Sequence, residues 1–268
     1  MRIKLHGRLI WLSIASLWIV MMLAACGDQQ NELNENTNTN DESMVIVAST
    51  SWVSMIARAA GAEDVAILAP VELRHPPEYD FKPSDIERVN AADYVVYAGY
   101  EPFMNKLLET VDVADDQKIY VRTENTPDNL KEQVNQLAEL FGTETVAEQW
   151  VTEMDELVKL IEAEADAMQL SQQKVVVQDH MVPLAEFFGY DVIAEFTEEL
   201  SPVKIAELAA LEPDLVIDNY HNVQGKGIAE VAQVPRVELR NFPANAEDTI
   251  QDLWLDNAEK LGMNIEWK

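Results

Sequence analysis

Residues 145–170, TVAEQWVTEMDELVKLIEAEADAMQL, decide the fold. Their apolar side chains recur at steps of three or four, at Trp150, Met154, Leu157 and Ile161. That spacing predicts an amphipathic helix, and about 26 helical residues span about 39 Å. The stripe is too short and too irregular for a coiled coil. We therefore predict one long helix that connects two lobes.

Strands and helices alternate on both sides of this helix. Before it, short apolar segments at residues 44–48 and 94–98 alternate with helical segments such as 102–111. After it, the alternation resumes with apolar segments at residues 174–178 and 215–218. Such alternation is typical of parallel sheets covered by helices on both faces. The predicted fold class is α/β: two βα lobes with parallel sheets, joined by one long helix, with a ligand cleft between the lobes.

The N-terminal segment predicts export and membrane anchoring. Arg2, Lys4 and Arg8 precede an apolar run over residues 9–25, which ends in small residues before Cys26. This arrangement is typical of a secretory signal, and the run is shorter than the about 20 residues of a membrane-spanning helix. Cys26 is the only cysteine. We predict that it begins the mature chain and carries the lipid anchor.

The chain divides into five predicted segments. Residues 27–42 are rich in Asn, Thr and acidic side chains and cannot bury a core. The predicted boundaries are 1–25 for a lipoprotein signal peptide, 26–43 for a flexible tether, 44–126 for an N-terminal α/β lobe, 127–172 for a helical linker that includes the long backbone helix, and 173–268 for a C-terminal α/β lobe.

Acidic residues dominate the composition. The chain has 48 Asp and Glu against 19 Lys and Arg, and its formal net charge at pH 7 is −29. Such a surface repels nucleic acid and anionic lipid headgroups, so attachment to a membrane requires a covalent anchor. The charge excludes nucleic acid as a partner but does not select a particular cation.

Three histidines follow predicted strands and are divided between the two halves: His75, His180 and His221. Because parallel strands end at one edge of a sheet, these side chains can meet in the cleft. Imidazole suits zinc, copper and nickel, and three neutral imidazoles with one oxygen suit tetrahedral zinc. Asp179, Asp218 and Glu78 are oxygen donors close to them in sequence. The alternative is that the three are unrelated loop histidines.

Residues 75–100 read HPPEYDFKPSDIERVNAADYVVYAGY. This stretch resembles the His-x-Tyr-Glu-Pro-x-Pro-Ser-Asp segment and the following Ala-Asp-Leu-Val-Val-Tyr-x-Gly strand of the cluster A-I (ZnuA-like) solute-binding lipoproteins of zinc and manganese ABC importers. The lipidation segment, the long helix and the tail DLWLDNA at residues 252–258 are also similar to that family. The resemblance covers essentially the whole mature chain.

The resemblance implies a rearranged metal site. His75 matches the family's first-lobe ligand, and His180 lies in the segment that holds a ligand at the start of the second lobe. The family's Asn-Pro-His-x-Trp ligand and its late aspartate are missing, since those stretches read VRTEN at 121–125 and ELRNF at 238–242. His221 stands where the family commonly has a Glu-Pro-Gln-like segment. The implied ligands are His75, His180 and His221, with Asp179, Asp218 or Glu124 as the fourth donor.

The implied function is capture of a divalent transition metal rather than catalysis. The resemblance predicts a lipid-anchored monomer outside the cytoplasm that binds Zn2+, or Mn2+ as a second choice. The loaded protein would then dock on an ABC permease whose partner ATPase drives import. Three alternatives stay open: a receptor of this architecture for haem, cobalamin or a siderophore chelate, a zinc-dependent hydrolase, and a structural lipoprotein without a ligand.

Overall fold

The computed structural model describes residues 44–197 and 199–267, which form one compact unit. The predicted signal peptide, the predicted tether and the lipidation site Cys26 lie outside the described residues. Within these two ranges, no helix has both the length and the apolar character that crossing a membrane requires.

The first sheet has four parallel strands in the order β2–β1–β3–β4. These strands are β1 Ile46–Ala48, β2 Val65–Ile67, β3 Tyr94–Tyr97 and β4 Lys118–Tyr120. The helices that follow the first three are α1 Ser51–Ala59, α2 Pro83–Asn90 and α3 Pro102–Leu108. Since all pairs are parallel, the carboxyl ends of the strands lie along one edge of the sheet.

Two helices, α4 Pro127–Phe141 and α5 Glu144–Met168, connect the sheets. Gly142 ends α4 in the left-handed conformation, with φ 70°, which a glycine adopts without steric cost. Helix α5 is 25 residues long and buries the predicted apolar stripe, so the long connecting helix is confirmed. The helix begins at Glu144, one residue before the predicted segment 145–170, and it ends at Met168, two residues before the end of that segment.

The second sheet is also parallel, in the order β6–β5–β7–β8, and so repeats the strand order of the first. Its strands are β5 Lys174–Gln178, β6 Asp191–Phe196, β7 Leu215–Asn219 and β8 Arg236–Leu239. The remaining helices are α6 Val182–Phe187, α7 Pro202–Ala209, α8 Lys226–Ala232 and α9 Ile250–Lys260. The predicted α/β class with two parallel sheets is confirmed; the exact segment boundaries stay a prediction.

The central strands of each sheet are buried on both faces. Alternate residues of β1 point to opposite sides, so Ile46 belongs to the main hydrophobic core and Val47 to a smaller cluster behind the first sheet. In β5, Val175 likewise faces the main core and Val176 a third cluster. The main core is continuous from the first sheet through α5 to the second, and it includes Trp254 of α9. This shared core fixes the strand ends of both sheets around one space.

Candidate metal centre

A cleft of about 960 Å³ opens at the carboxyl ends of the strands of both sheets. Residues that follow β4, β5, β7 and β8 line it, including Glu124, His180, His221 and Asn241. His75, from the loop between β2 and α2, completes the set of three histidines in the same cleft. The structure therefore brings all three predicted histidines to one space.

Asp85 sets the conformation of the loop that holds His75. Its carboxylate accepts hydrogen bonds from the Lys82 N–H and the Tyr79 hydroxyl, both at 2.8 Å. Burial, followed by this hydrogen bond, raises the pKa of Tyr79 to about 12. Asp85 thus caps α2 through the Lys82 N–H, and the loop is tied to the helix that follows it.

In each of the three histidines Nδ1 lies beside an oxygen atom, in a hydrogen bond for His180 and His221 and in an ion-pair contact for His75. The contacts are His75 with the Glu78 carboxylate at 3.2 Å, His180 with the Asp179 carboxylate at 2.5 Å, and His221 with the Arg74 carbonyl at 2.8 Å. Metal-bound histidines usually donate their second ring N–H in this way, which orients the ring and fixes the tautomer. The arrangement leaves Nε2 of each ring for a ligand.

His221 is the fixed member of the set. Its side chain is buried, and burial is the main reason that its pKa falls to about 4, with Arg240 and His75 adding to the effect. The ring is therefore neutral near pH 7, with the Nδ1 proton donated to Arg74. Nε2 is buried and has no hydrogen-bond partner of good geometry within residues 44–197 and 199–267, and the nearby Phe242 backbone, which favours protonation, does not offset the effect of burial on the pKa of the ring. A neutral imidazole with a free lone pair is the form that binds metal ions.

Arg74 ties the two halves together beside His221. Its guanidinium donates to the Tyr220 carbonyl at 3.2 Å, while its own carbonyl accepts from His221. The Tyr220 ring also lies under the Arg240 guanidinium, at 3.8 Å from the ring centroid. These contacts hold the segment after β7 against the loop after β2, so the position of His221 depends on both sheets.

Asp179 is a partner of His180 rather than an additional wall residue of the cleft. Its Oδ1 accepts from the His180 N–H at 2.8 Å and from the Gln178 amide at 2.6 Å, in addition to the ring contact. Gln178 is fully buried at the end of β5, and its side-chain carbonyl also accepts from the His180 N–H at 3.0 Å. The position of Asp179 therefore suits a residue that orients the His180 imidazole better than it suits the predicted fourth ligand.

Asp218 must be removed from the set of candidate ligands. Its carboxylate is fully buried and accepts from the Gly225 N–H at 2.8 Å, the Gln224 N–H at 3.1 Å and the Arg236 guanidinium at 2.8 Å. It does not line the cleft. Asp218 lies in β7 with its side chain on the opposite face from the site, where it holds the turn before α8. Glu124 does line the cleft and is exposed.

Five carboxamides line the cleft, and among them Asn125 and Asn241 stand out because each has a buried polar atom without a partner in the described part of the chain. Asn125 accepts from the Trp254 indole at 2.7 Å through Oδ1, and its Nδ2 is buried without a hydrogen-bond partner in the described part of the chain. Asn241 Oδ1 is likewise buried without a hydrogen-bond partner among the described residues. Asn125 lies five residues after β4 and Asn241 two residues after β8, but the sequence pattern pointed only to imidazoles and carboxylates as ligands.

The histidines line one cleft without meeting at one point. Among the described residues, no three His, Cys, Asp or Glu side chains lie close enough together to hold a metal ion. The side chains of His75 and His180 are 38% and 58% exposed, so they have room to rotate, whereas His221 is held by Arg74. The geometry therefore combines one anchored imidazole with two adjustable ones.

Several solved structures share this fold. A ZnuA deletion mutant with zinc bound is 16% identical and has a TM-score of 0.63, covering 85% of this chain and 100% of that chain. FpvC from Pseudomonas aeruginosa, in complex with Mn2+, is 14% identical and has a TM-score of 0.64, covering 82% of this chain and 97% of that chain. The metal-dependent lipoprotein YcdH from Bacillus subtilis is 14% identical and has a TM-score of 0.61, covering 81% of this chain and 97% of that chain.

At these identities the similarity establishes the fold. No family model matches the sequence, and no curated protein matches it.

Proposed function

We propose that this protein captures a divalent transition metal in the cleft and delivers it to an ABC permease, acting as a binding protein rather than an enzyme. The observation that supports this most is the common arrangement of His75, His180 and His221, each with Nδ1 engaged and Nε2 left for a ligand. The structural neighbours include a ZnuA mutant with zinc bound and FpvC in complex with Mn2+, which agrees with this proposal.

His221 acts as the anchor of the proposed site, because its ring is buried and neutral near pH 7. His75 and His180 rotate towards the ion that His221 holds, with their rings oriented by Glu78 and Asp179. Three imidazoles favour zinc over manganese. Glu124 is the carboxylate that can supply a fourth, oxygen ligand, which would make manganese more acceptable.

The proposed location follows from the N-terminal sequence. Residues 1–25 would direct export, Cys26 would carry the lipid, and residues 26–43 would give the domain reach from the membrane surface. The protein then faces the extracytoplasmic side as a lipid-anchored monomer. The permease and its ATPase are its proposed partners, and the strongly acidic surface makes a nucleic acid partner unfavourable.

Isothermal titration of the metal-stripped full chain with zinc, and then with manganese, tests the proposal. The site variant combines His75→Ala, His180→Ala and His221→Ala. We expect one zinc per chain in the wild-type protein and an affinity that falls by orders of magnitude in the variant. Manganese should bind more weakly than zinc.

A matched control separates the site from the acidic background. It neutralises three exposed carboxylates on the connecting helices, as Glu139→Gln, Glu148→Gln and Glu162→Gln. This control should keep the wild-type zinc isotherm. If the histidine variant also keeps it, zinc binds elsewhere and the proposal fails. Circular dichroism confirms that each variant is folded.

A further inference from the structure

We infer that the cargo enters the cleft as a complex between the metal and a small carboxylate-bearing organic chelator, rather than as a bare ion. This inference rests on the proposed capture of a metal and specifies its substrate class. It follows from the size of the cleft and from polar groups in its wall that a cation alone does not satisfy.

The cleft is large for a single ion. Its volume of about 960 Å³ lies near the upper end of the roughly 300–1,000 Å³ that protein sites for drug-sized ligands occupy. One water molecule takes up about 30 Å³ in the liquid. The cleft therefore has room for an ion together with an organic ligand.

Asn125 gives the cleft a hydrogen-bond donor whose orientation is fixed. The indole N–H of Trp254 can only donate, so the Asn125 atom that it contacts at 2.7 Å has to be the carbonyl oxygen. The amide NH2 group of Asn125 is therefore the end of the side chain that this contact does not use. It is buried, and none of the described residues accepts a hydrogen bond from it. An amide NH2 has no lone pair for a cation, so it requires an acceptor such as a carboxylate oxygen.

The wall of the cleft offers both kinds of partner that an anionic metal chelate needs. His221 Nε2 and Asn241 Oδ1 are buried atoms with lone pairs that suit the metal, and no described residue donates to either of them. Asn125 Nδ2 and the Lys106 ammonium suit carboxylate oxygens. Lys106 is notable because cations are few in this acidic chain. A bare cation satisfies only the first pair.

Aromatic side chains provide the remaining wall. Trp52, Tyr79 and Phe103 line the cleft, and the last two pack edge to face with ring centroids 5.4 Å apart. Apolar and aromatic walls with a few placed polar groups are typical of sites for organic ligands. The carbon skeleton of a chelator would contact these rings, and a hydrated ion would not benefit from them.

Equilibrium dialysis of the metal-stripped full chain tests the inference, with pyridine-2,6-dicarboxylate as the chelator. The chain is dialysed against zinc alone, the chelator alone, and their one-to-one complex. Zinc is measured by atomic absorption and the chelator by its ultraviolet absorbance. We expect zinc and chelator to be retained together, one of each per chain, and more tightly than either alone.

Asn125→Asp is the diagnostic variant, because it keeps the acceptor for Trp254 and replaces the free donor with a negative oxygen. We expect it to weaken retention of the complex at least about tenfold, as for a lost hydrogen bond to a charged group. It should not weaken binding of zinc alone. The matched control Asn135→Asp adds the same charge at an exposed position on α4 and should behave as wild type.

The outcomes separate this inference from the proposed function. Retention of zinc without the chelator, at equal or higher affinity, overturns the inference and leaves metal capture standing. Equal retention of the complex by the Asn125 and Asn135 variants also overturns it. Retention of the chelator without zinc, or of neither, overturns the inference and the proposed function together.

Discussion

His221 makes the stability of the fold depend on pH in a predictable direction. Burial lowers its pKa from 6.5 to about 4, so between these values the unfolded chain takes up a proton that the folded chain does not. The free energy of unfolding therefore falls as the pH drops through 6.5, and the loss is complete near pH 4. Above the unfolded pKa the neutral ring makes no pH-dependent contribution.

The size of the effect follows from the two pKa values. The difference between 6.5 and about 4 corresponds to roughly 3 kcal/mol in the free energy of unfolding. The side chain is only 8% exposed, so solvent screening reduces this value little. The positively charged Arg240 and the neighbouring His75 both oppose protonation of the ring, in the same direction as burial.

The assay compares urea unfolding of the wild-type protein and the His221→Gln variant between about pH 7 and about pH 4. Glutamine is uncharged and can still donate to the Arg74 carbonyl. All other titrating groups are common to both proteins, so their contributions cancel in the difference. Wild type should lose roughly 3 kcal/mol relative to the variant on acidification. A difference that stays constant with pH, or that grows in favour of wild type, refutes the buried neutral histidine.

Three further substitutions test individual contacts. Asp179→Asn should weaken zinc affinity by about 10- to 100-fold through the loss of orientation of His180, without unfolding the chain; unchanged affinity in a zinc titration would contradict this role. Asp218→Asn should lower the free energy of unfolding, measured with urea, by about 3 kcal/mol because Arg236 loses a buried charged partner. The folded variant should bind zinc normally. Selective loss of zinc binding would restore Asp218 as a ligand. Gly225→Ala should destabilise the folded protein by about 1–3 kcal/mol, because its new methyl group would lie 2.9 Å from two side chains. An unchanged midpoint of urea unfolding would argue against that packing.

The main elements of the fold could be predicted because local patterns determine them. The predicted strand at 174–178 matches the structure to the residue, since a short apolar run there lies between polar residues. The long helix is equally clear from its buried stripe and from Gly142 before it. Helix bounds were less accurate, since the segments predicted at 102–111 and 145–170 are helical over 102–108 and 144–168.

The candidate site was predictable only in part. Parallel strands end at one edge, and this rule was sufficient to place His75, His180 and His221 in one cleft. The partners of Asp218 could not be foreseen, because its contact with Arg236 depends on the register of β7 against β8. The role of Asn125 was equally hidden, since its orientation is set by an indole 129 positions away in the chain.

The most direct test of the account is X-ray absorption at the zinc edge on the zinc-loaded full chain. It reports the type and distance of the atoms bound to the metal. We predict scattering from two or three imidazole rings with zinc–nitrogen distances of about 2.0–2.1 Å, and its loss in the His75, His180 and His221 triple alanine variant. A spectrum that shows only oxygen ligands, or that is the same in the variant, would contradict the claim that these histidines hold the metal.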